Sequence, residues 1–252
     1  MNSKKAIRAY FAAESTSYDL PGRSIILFTL LIMAGAVACN PVFAPGATTT
    51  MTHFPQSPEE AIAELVAGNA RYVAGQARST NPPSARAELA RGQAPFAAII
   101  RCADSRVTPE IVFDQPLGAL FVTAVAGNIV TAEIIASLEY SVAILRSKLV
   151  VVMGHSGCGA VEAAIKHRDT ADQLPGSLKI LIERIKDPCT LGTAPDQSDE
   201  YLAEAVKCNA NKGAGELLER SHVLAEAVEM RQIKIIAGVQ DVESGTFSVT
   251  RV

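Results

Sequence analysis

Two short stretches of the sequence combine side chains that bind metals or carry charge. The first, residues 102–106, reads Cys-Ala-Asp-Ser-Arg, and the second, residues 154–159, reads Gly-His-Ser-Gly-Cys-Gly. Together they supply two thiols, one imidazole and one carboxylate, on Cys102, Cys158, His155 and Asp104. Sulfur, imidazole nitrogen and carboxylate oxygen are the protein ligands of tetrahedral zinc. The two stretches therefore predict a zinc site with these four side chains as candidate ligands.

Each stretch directly follows an apolar run of the kind that forms a buried strand. Residues 96–101 precede Cys102, and residues 148–153 precede the second stretch. In parallel α/β sheets, ligands bind just past the carboxyl ends of the strands. Two such strands would therefore bring both stretches to one edge of a sheet, where the three glycines of the second stretch permit a tight backbone path.

Each stretch has a simpler interpretation when it is considered alone. A free cysteine is usually part of the core, and a glycine-rich turn before a helix can hold a phosphate at the helix N-terminus. However, residues 154–159 match neither the G-x-G-x-x-G pattern nor the P-loop pattern, and they contain no lysine. The occurrence of both stretches after predicted strands favours the metal site.

The rest of the chain alternates between strand and helix patterns. Predicted strands cover residues 96–101, 119–125, 148–153, 233–238 and 246–252. Predicted helices cover residues 58–73, 85–91, 131–145, 160–166, 178–185, 201–209 and 216–230. This order predicts a single α/β domain with a largely parallel central β-sheet flanked by helices.

Length and composition limit the protein class. The 252 residues carry a net charge of −3, with 48% hydrophobic and 19% charged residues, which suits one domain plus an extension. Nucleic-acid binding is not indicated, because it needs a clustered basic face. The five cysteines have no regular spacing and do not resemble a disulfide framework, although Cys189 and Cys208 could pair in an exported protein.

The N-terminal residues predict export. Residues 1–38 combine a basic flank, a short uncharged apolar core and a small-x-small ending, which is typical of a signal peptide. A buried N-terminal helix is the alternative. Cys39 follows that ending, so the signal predicts either simple cleavage or a lipid anchor on Cys39. Residues 39–56 read as a flexible linker, residues 57–252 form the predicted domain, and the expected location is periplasmic or secreted.

The two motifs together resemble those of the β-class carbonic anhydrases. Four further segments resemble that family: residues 65–71, residues 92–95, residues 126–128 and residues 238–247, the last with Gln240 and Ser244 as variants. The resemblance extends over roughly residues 57–252. It implies the β-carbonic-anhydrase fold, with an N-terminal helical arm before the central sheet.

The resemblance also implies a reaction, the reversible hydration of carbon dioxide to bicarbonate and a proton by hydroxide held on zinc. In that family the residues matching Cys102, His155 and Cys158 hold one Zn²⁺ per subunit. The residue matching Asp104 has two roles there. Paired with Arg106 it orients the hydroxide, and released from Arg106 it takes the fourth metal position. A surface arginine with no such role is the alternative for Arg106.

Substrate contacts in the family match five further positions, namely Gln93, Phe121, Ala126, Tyr140 and Gly159. Some of these contacts come from a neighbouring subunit in the family, which implies a homodimer or a higher even oligomer. From the sequence alone, ordinary core packing is the expected role of Phe121 and Tyr140. Two other functions remain open: hydrolysis of carbon disulfide or carbonyl sulfide at the same site, and a non-catalytic scaffold stabilised by zinc.

Overall fold

The computed structural model describes residues 55–78, 81–190 and 198–252. The predicted signal peptide, Cys39 and nearly all of the predicted linker lie outside the described residues, so export and lipid attachment stay predictions. Within the described ranges, none of the helices has both the length and the apolar character needed to cross a membrane.

A five-stranded sheet forms the centre of the domain. Its strands are β1 (Ala97–Arg101), β2 (Leu120–Ala124), β3 (Leu149–His155), β4 (Lys234–Gln240) and β5 (Phe247–Arg251). They lie in the order β2-β1-β3-β4-β5. The first four strands are parallel and β5 is antiparallel to β4. The prediction of a largely parallel sheet is therefore confirmed. Every residue of β3 is buried, as expected of a central strand covered on both faces.

Helices cover both faces of this sheet. They are α1 (Pro58–Val73), α2 (Arg86–Leu89), α3 (Pro109–Val112), α4 (Ala132–Ala143), α5 (Gly159–Lys166), α6 (Leu178–Cys189), α7 (Asp199–Arg220) and α8 (His222–Glu229). Short 3₁₀ turns occupy Pro83–Ala85, Ala126–Asn128 and Ala171–Gln173. Alternate strand residues enter two cores, since side chains alternate between the faces of a strand. Ile99 and Val151 pack with α1, α5 and α6, whereas Ile100 and Val152 pack with α4, α7 and α8.

The structure differs from the predicted elements at two places that matter for the site. Strand β3 extends to His155 rather than ending at residue 153. The predicted break between residues 209 and 216 is wrong, because α7 is continuous and ends only at Arg220. Gly213 serves close packing there, since a Cβ at this position would lie 3.0 Å from Cγ1 of Val152.

Helix α1 is the predicted N-terminal helix, and it docks onto the domain through a buried asparagine. Ser57 caps the helix by accepting a hydrogen bond from the Glu60 backbone N–H. Near the other end, the Asn69 amide donates to the carbonyls of Val112 and Gly245, at 3.0 and 2.8 Å. These bonds tie α1 to α3 and to the loop before β5, so α1 belongs to the folded domain.

A disulfide between Cys189 and Cys208 joins the end of α6 to the middle of α7. Its Cα atoms lie 5.3 Å apart, and 19 positions separate the two residues in the chain. Among the five cysteines, the two remaining thiols within the described ranges belong to Cys102 and Cys158. Cys189 and Cys208 are thus a structural pair, and the two free thiols are those predicted to bind metal.

Replacing both Cys189 and Cys208 by serine should lower the free energy of unfolding by about 2–4 kcal/mol. The reason is that an open loop of this length gains chain entropy in the unfolded state. Denaturant unfolding of the wild type and of the double variant measures the difference. Reductant should destabilise the wild type by a similar amount and leave the double variant unchanged. An equal response of both proteins to reductant would contradict the prediction.

Candidate metal centre

Three of the predicted ligands meet at one edge of the sheet. Cys102 follows β1, His155 ends β3, and Cys158 directly precedes α5. Because β1 and β3 are neighbouring parallel strands, with Arg101 opposite Met153, their carboxyl ends lie side by side. The ligand atoms of the three residues all lie within 4.8 Å of one another, and all three residues are buried. This arrangement is the geometry expected of a metal centre.

The His155 imidazole fits a metal because one of its nitrogens lacks any other partner. Its Nδ1 lies 3.0 Å from the Ser156 carbonyl oxygen, so a proton on Nδ1 makes this hydrogen bond. That tautomer leaves a lone pair on Nε2. Nε2 is buried, and no described residue forms a hydrogen bond with it. A buried polar atom without a partner is costly, and a metal ion held together with Cys102 and Cys158 would satisfy it.

The turn between His155 and Cys158 is held by its backbone. Gly157 has a φ of +61°, a left-handed conformation that glycine adopts without strain. Ser156 is pinned on both sides: its N–H donates to the Gln240 carbonyl at 2.8 Å, and its hydroxyl accepts from the Val242 N–H at 2.8 Å. These contacts with β4 and the loop after it fix the direction in which His155 and Cys158 point.

The two thiols of the cluster are in hydrogen-bond contact. Sγ of Cys158 donates to Sγ of Cys102 at 3.9 Å, which lowers the pKa of Cys102 to about 4. The same contact raises the pKa of Cys158. The Gly127 N–H also donates to Sγ of Cys102, at 3.3 Å, and favours its thiolate. These contacts therefore favour a thiolate on Cys102, and a metal ion held by both sulfurs would have to displace the proton of Cys158.

Asp104 lies beside the cluster but faces Arg106. Its Oδ1 accepts from the backbone N–H and from Nε of Arg106, both at 2.9 Å, and its Oδ2 accepts from Nη2 at 2.8 Å. These bonds hold the pKa of Asp104 well below its usual range. Oδ2 lies 3.8 Å from Nε2 of His155. The predicted pairing with Arg106 is therefore present, and the carboxylate stays next to the predicted ligands without joining them.

Two of the predicted pocket residues lie next to the cluster. Ala126 begins the 3₁₀ turn whose next residue, Gly127, donates to Cys102. Gly159 follows Cys158 and begins α5, and a Cβ built on it would meet open space. Both residues are therefore near the ligands along the chain, and their contact with substrate stays a prediction.

The other three predicted pocket residues lie away from the cluster of their own chain. Phe121 is in register with Ala98, four residues before Cys102, or about 13 Å along a strand. Gln93 is exposed and precedes β1, at the strand end opposite Cys102. Tyr140 contacts Phe121, with ring centroids 6.2 Å apart. A single chain does not bring these three residues to the metal centre.

Core packing explains the position of Phe121 but not that of Tyr140. Phe121 is half-buried against the core that α4 and α8 cover, in line with the simpler expectation. Tyr140, in contrast, is 47% exposed. The pair lies next to β2, which is an edge strand of the sheet, so Tyr140 presents its ring on the surface.

The structure adds three residues to the site that sequence reasoning did not select. Gly127 donates to Cys102, and the Asn209 amide donates to the Gly127 carbonyl at 2.7 Å. Arg101 donates to the carbonyls of Cys102 and Asp104, at 2.6 and 3.2 Å. Asn209 carries no signal in the sequence, because it occurs in the polar middle of a long helix. Arg101 is the last residue of a predicted strand, and its sequence position indicates no further role.

Known proteins match both the sequence and the fold. The profile of the family described as carbonic anhydrase matches residues 97–247. The carbonic anhydrase of Mycolicibacterium smegmatis is 35% identical over 194 residues, which cover 76% of this chain and 89% of that protein. The solved β-carbonic anhydrase CafA of Aspergillus fumigatus is 26% identical with a TM-score of 0.56, over 75% of this chain and 90% of that one.

A second solved structure shares the fold alone. It comes from a study of two tetrameric β-carbonic anhydrases of Sordaria macrospora and has a TM-score of 0.58 at 24% identity, over 75% of this chain and 96% of that one. The matched region of the family profile includes β1 to β4 and all three clustered ligands. By sequence and by fold, this chain belongs to the β-class carbonic anhydrase family.

Proposed function

We propose that this chain catalyses the reversible hydration of carbon dioxide to bicarbonate and a proton with the help of one zinc ion per subunit. The observation that carries the proposal is the buried Cys102, His155 and Cys158 cluster next to an ion-paired carboxylate. Three protein ligands with one open position are typical of catalytic zinc, whereas structural zinc is usually closed by four. A scaffold that only needed zinc for stability would not require the pair of Asp104 and Arg106.

Cys102, His155 and Cys158 would hold the zinc ion, with Nε2 as the nitrogen ligand. When bound, zinc lowers the pKa of a water ligand to about 7 and so supplies a nucleophile for carbon dioxide at neutral pH. The hydrogen bond from Nδ1 of His155 to the Ser156 carbonyl fixes the tautomer and the ring orientation. The Gly127 N–H restrains Cys102 in the same way.

Asp104 is proposed to orient the nucleophile. Its carboxylate is ionised and can only accept hydrogen bonds, so a nucleophile beside it has to donate its proton to Asp104 and direct a lone pair elsewhere. Arg106 holds that carboxylate in place through two side-chain bonds. If Arg106 released it, Asp104 could serve as a fourth ligand, since its Oδ2 lies 3.8 Å from Nε2 of His155. The pair therefore also serves as a gate.

The assembly is proposed to be a homodimer or a higher even oligomer. Gln93, Phe121 and Tyr140 match substrate contacts of the family but lie away from the cluster of their own chain. A second copy against the β2 edge would bring them to a metal centre. Two large apolar side chains are exposed there, with exposed fractions of 47% for Tyr140 and 38% for Ile144. The Sordaria macrospora enzymes of the same fold are described as tetrameric.

Replacing Cys158 by serine should abolish zinc retention and reduce carbon dioxide hydration by about 100-fold or more, because one thiolate ligand is lost. Stopped-flow hydration and metal analysis measure both effects. The matched control is Cys208→Ser, which removes a cysteine outside the cluster and should retain zinc. Hydration at the wild-type rate by Cys158→Ser would contradict the proposed site. Faster turnover of carbonyl sulfide than of carbon dioxide by the wild type would contradict the proposed substrate.

Replacing Arg106 by glutamine should lower kcat by about 10- to 100-fold, because Asp104 loses both side-chain bonds that position it. The zinc content should stay at one per subunit, since Arg106 is not a ligand. Kinetics and metal analysis of the same sample separate these effects. Arg91→Gln is the control on an exposed arginine whose partner is Glu88. An unchanged kcat in Arg106→Gln would show that Asp104 does not need Arg106.

Replacing Tyr140 by aspartate should dissociate the oligomer and strongly reduce activity, because a charge is placed on the apolar face next to β2. Light scattering coupled to size exclusion gives the molar mass, and the hydration assay gives the activity. Ile180→Asp is the control, since Ile180 is an exposed apolar residue of α6, on the other face of the sheet. An unchanged molar mass would place the interface elsewhere.

A further inference from the structure

Asn209 is a buried polar residue in a helix face that is otherwise packed with small and apolar side chains. It is only 4% exposed, and its neighbours in α7 include the buried Ala205, Val206 and Ala210. A buried amide is costly unless it is hydrogen-bonded. Its Nδ2 donates to the Gly127 carbonyl at 2.7 Å, a contact that joins residues 82 positions apart. This contact connects α7 with the turn that touches the metal cluster.

Both backbone polar groups of Gly127 form hydrogen bonds. Its N–H donates to Sγ of Cys102 at 3.3 Å, and its carbonyl accepts from Asn209. Its φ is +71°, and a Cβ would lie 2.6 Å from Cδ1 of Ile185 and 3.2 Å from Cβ of Ala160. Packing from α5 and α6 limits where the turn can lie, but apolar contacts do not select the direction of a peptide group. Hydrogen bonds do so: the two named above, and the one from the Asn128 N–H to the Val125 carbonyl, at 3.0 Å, across the same turn.

We infer that Asn209 is a positioning residue for the metal centre, which acts by holding the Gly127 turn so that its N–H points at the Cys102 sulfur. The inference rests on the proposed function, because it assigns Asn209 to the same centre. Without the amide, the buried Gly127 carbonyl would lack this donor, and a buried acceptor left without its donor is destabilising. The turn would then rotate toward another partner, and the N–H would leave the sulfur.

The side-chain chemistry at position 209 is specific for this role. Aspartate has almost the same shape, but its carboxylate would face the Gly127 carbonyl with no proton to donate. Leucine has a similar volume and no donor at all. Groups that hold a metal ligand from outside typically change metal affinity by about 10- to 100-fold when removed. Asn209 should therefore affect zinc affinity and the thiolate–metal bond, beyond any effect on stability.

The test measures zinc affinity by chelator competition and the thiolate-to-metal absorption band of the protein loaded with Co²⁺. Asn209→Leu should bind zinc about 10- to 100-fold more weakly than the wild type and shift the cobalt band. Leu217→Ala is the matched control. Leu217 is fully buried in α7 and packs in the core on the other face of the sheet from Cys102 and Cys158. This variant should lower the melting temperature and leave both zinc affinity and the cobalt band unchanged.

The outcomes separate this inference from the proposed function. Wild-type zinc affinity and an unchanged cobalt band in Asn209→Leu would overturn the role of Asn209 while leaving the proposed function intact. If that variant does not fold, Asn209→Asp takes its place with the same expected loss and the same contradicting result. A wild-type protein that binds no zinc would overturn the proposed function together with this inference.

Discussion

The parallel pairing of β1 with β3 is the constraint on which the site depends. The last pair between the two strands is Arg101 with Met153. Cys102 comes one residue after this pair in the chain, and His155 comes two residues after it. A slip of one residue in this register would turn the side chains of a strand to the opposite face. The two apolar cores prevent such a slip, because alternate residues of both strands are buried on both faces. The aliphatic core thus fixes the distance between the ligands, two of which, Cys102 and Cys158, are part of it.

Charge explains why the parts of the site occur together. Two buried thiolates would repel each other, and the hydrogen bond from Sγ of Cys158 to Sγ of Cys102 favours a thiolate on Cys102 and a neutral thiol on Cys158. A divalent cation would replace that proton and balance both thiolates. Asp104 adds one negative charge beside them, and Arg106 neutralises it. The loaded centre would therefore be close to neutral overall, which a buried site in a low dielectric requires.

Sequence reasoning predicted the parts of the fold whose cause is local. The continuous apolar runs gave the strands, and Ser57 gave the start of α1, because capping and burial on both faces leave clear patterns. The break predicted inside α7 failed, since a glycine's helix-breaking tendency was outweighed by close packing against β3. Cys102, His155 and Cys158 could be found from their types and from the strands before them. Asn209 could not, and Gly127 was marked only as part of the family-like segment 126–128, because their contacts join residues far apart in the chain.

The direction of the strands limits which of the predicted pocket residues one chain can bring to its own metal centre. A parallel sheet places its ligands at the carboxyl ends of the strands, yet Gln93 precedes β1 and Phe121 lies in the first half of β2. The same chain therefore cannot bring them to its own metal centre without reversing a strand. The proposed oligomer would overcome this, because a twofold axis can set the amino-terminal half of one edge strand near the carboxyl edge of the other sheet. Oligomerisation would then complete the active site, and the ring of Tyr140, exposed in the single chain, would be covered by the second copy.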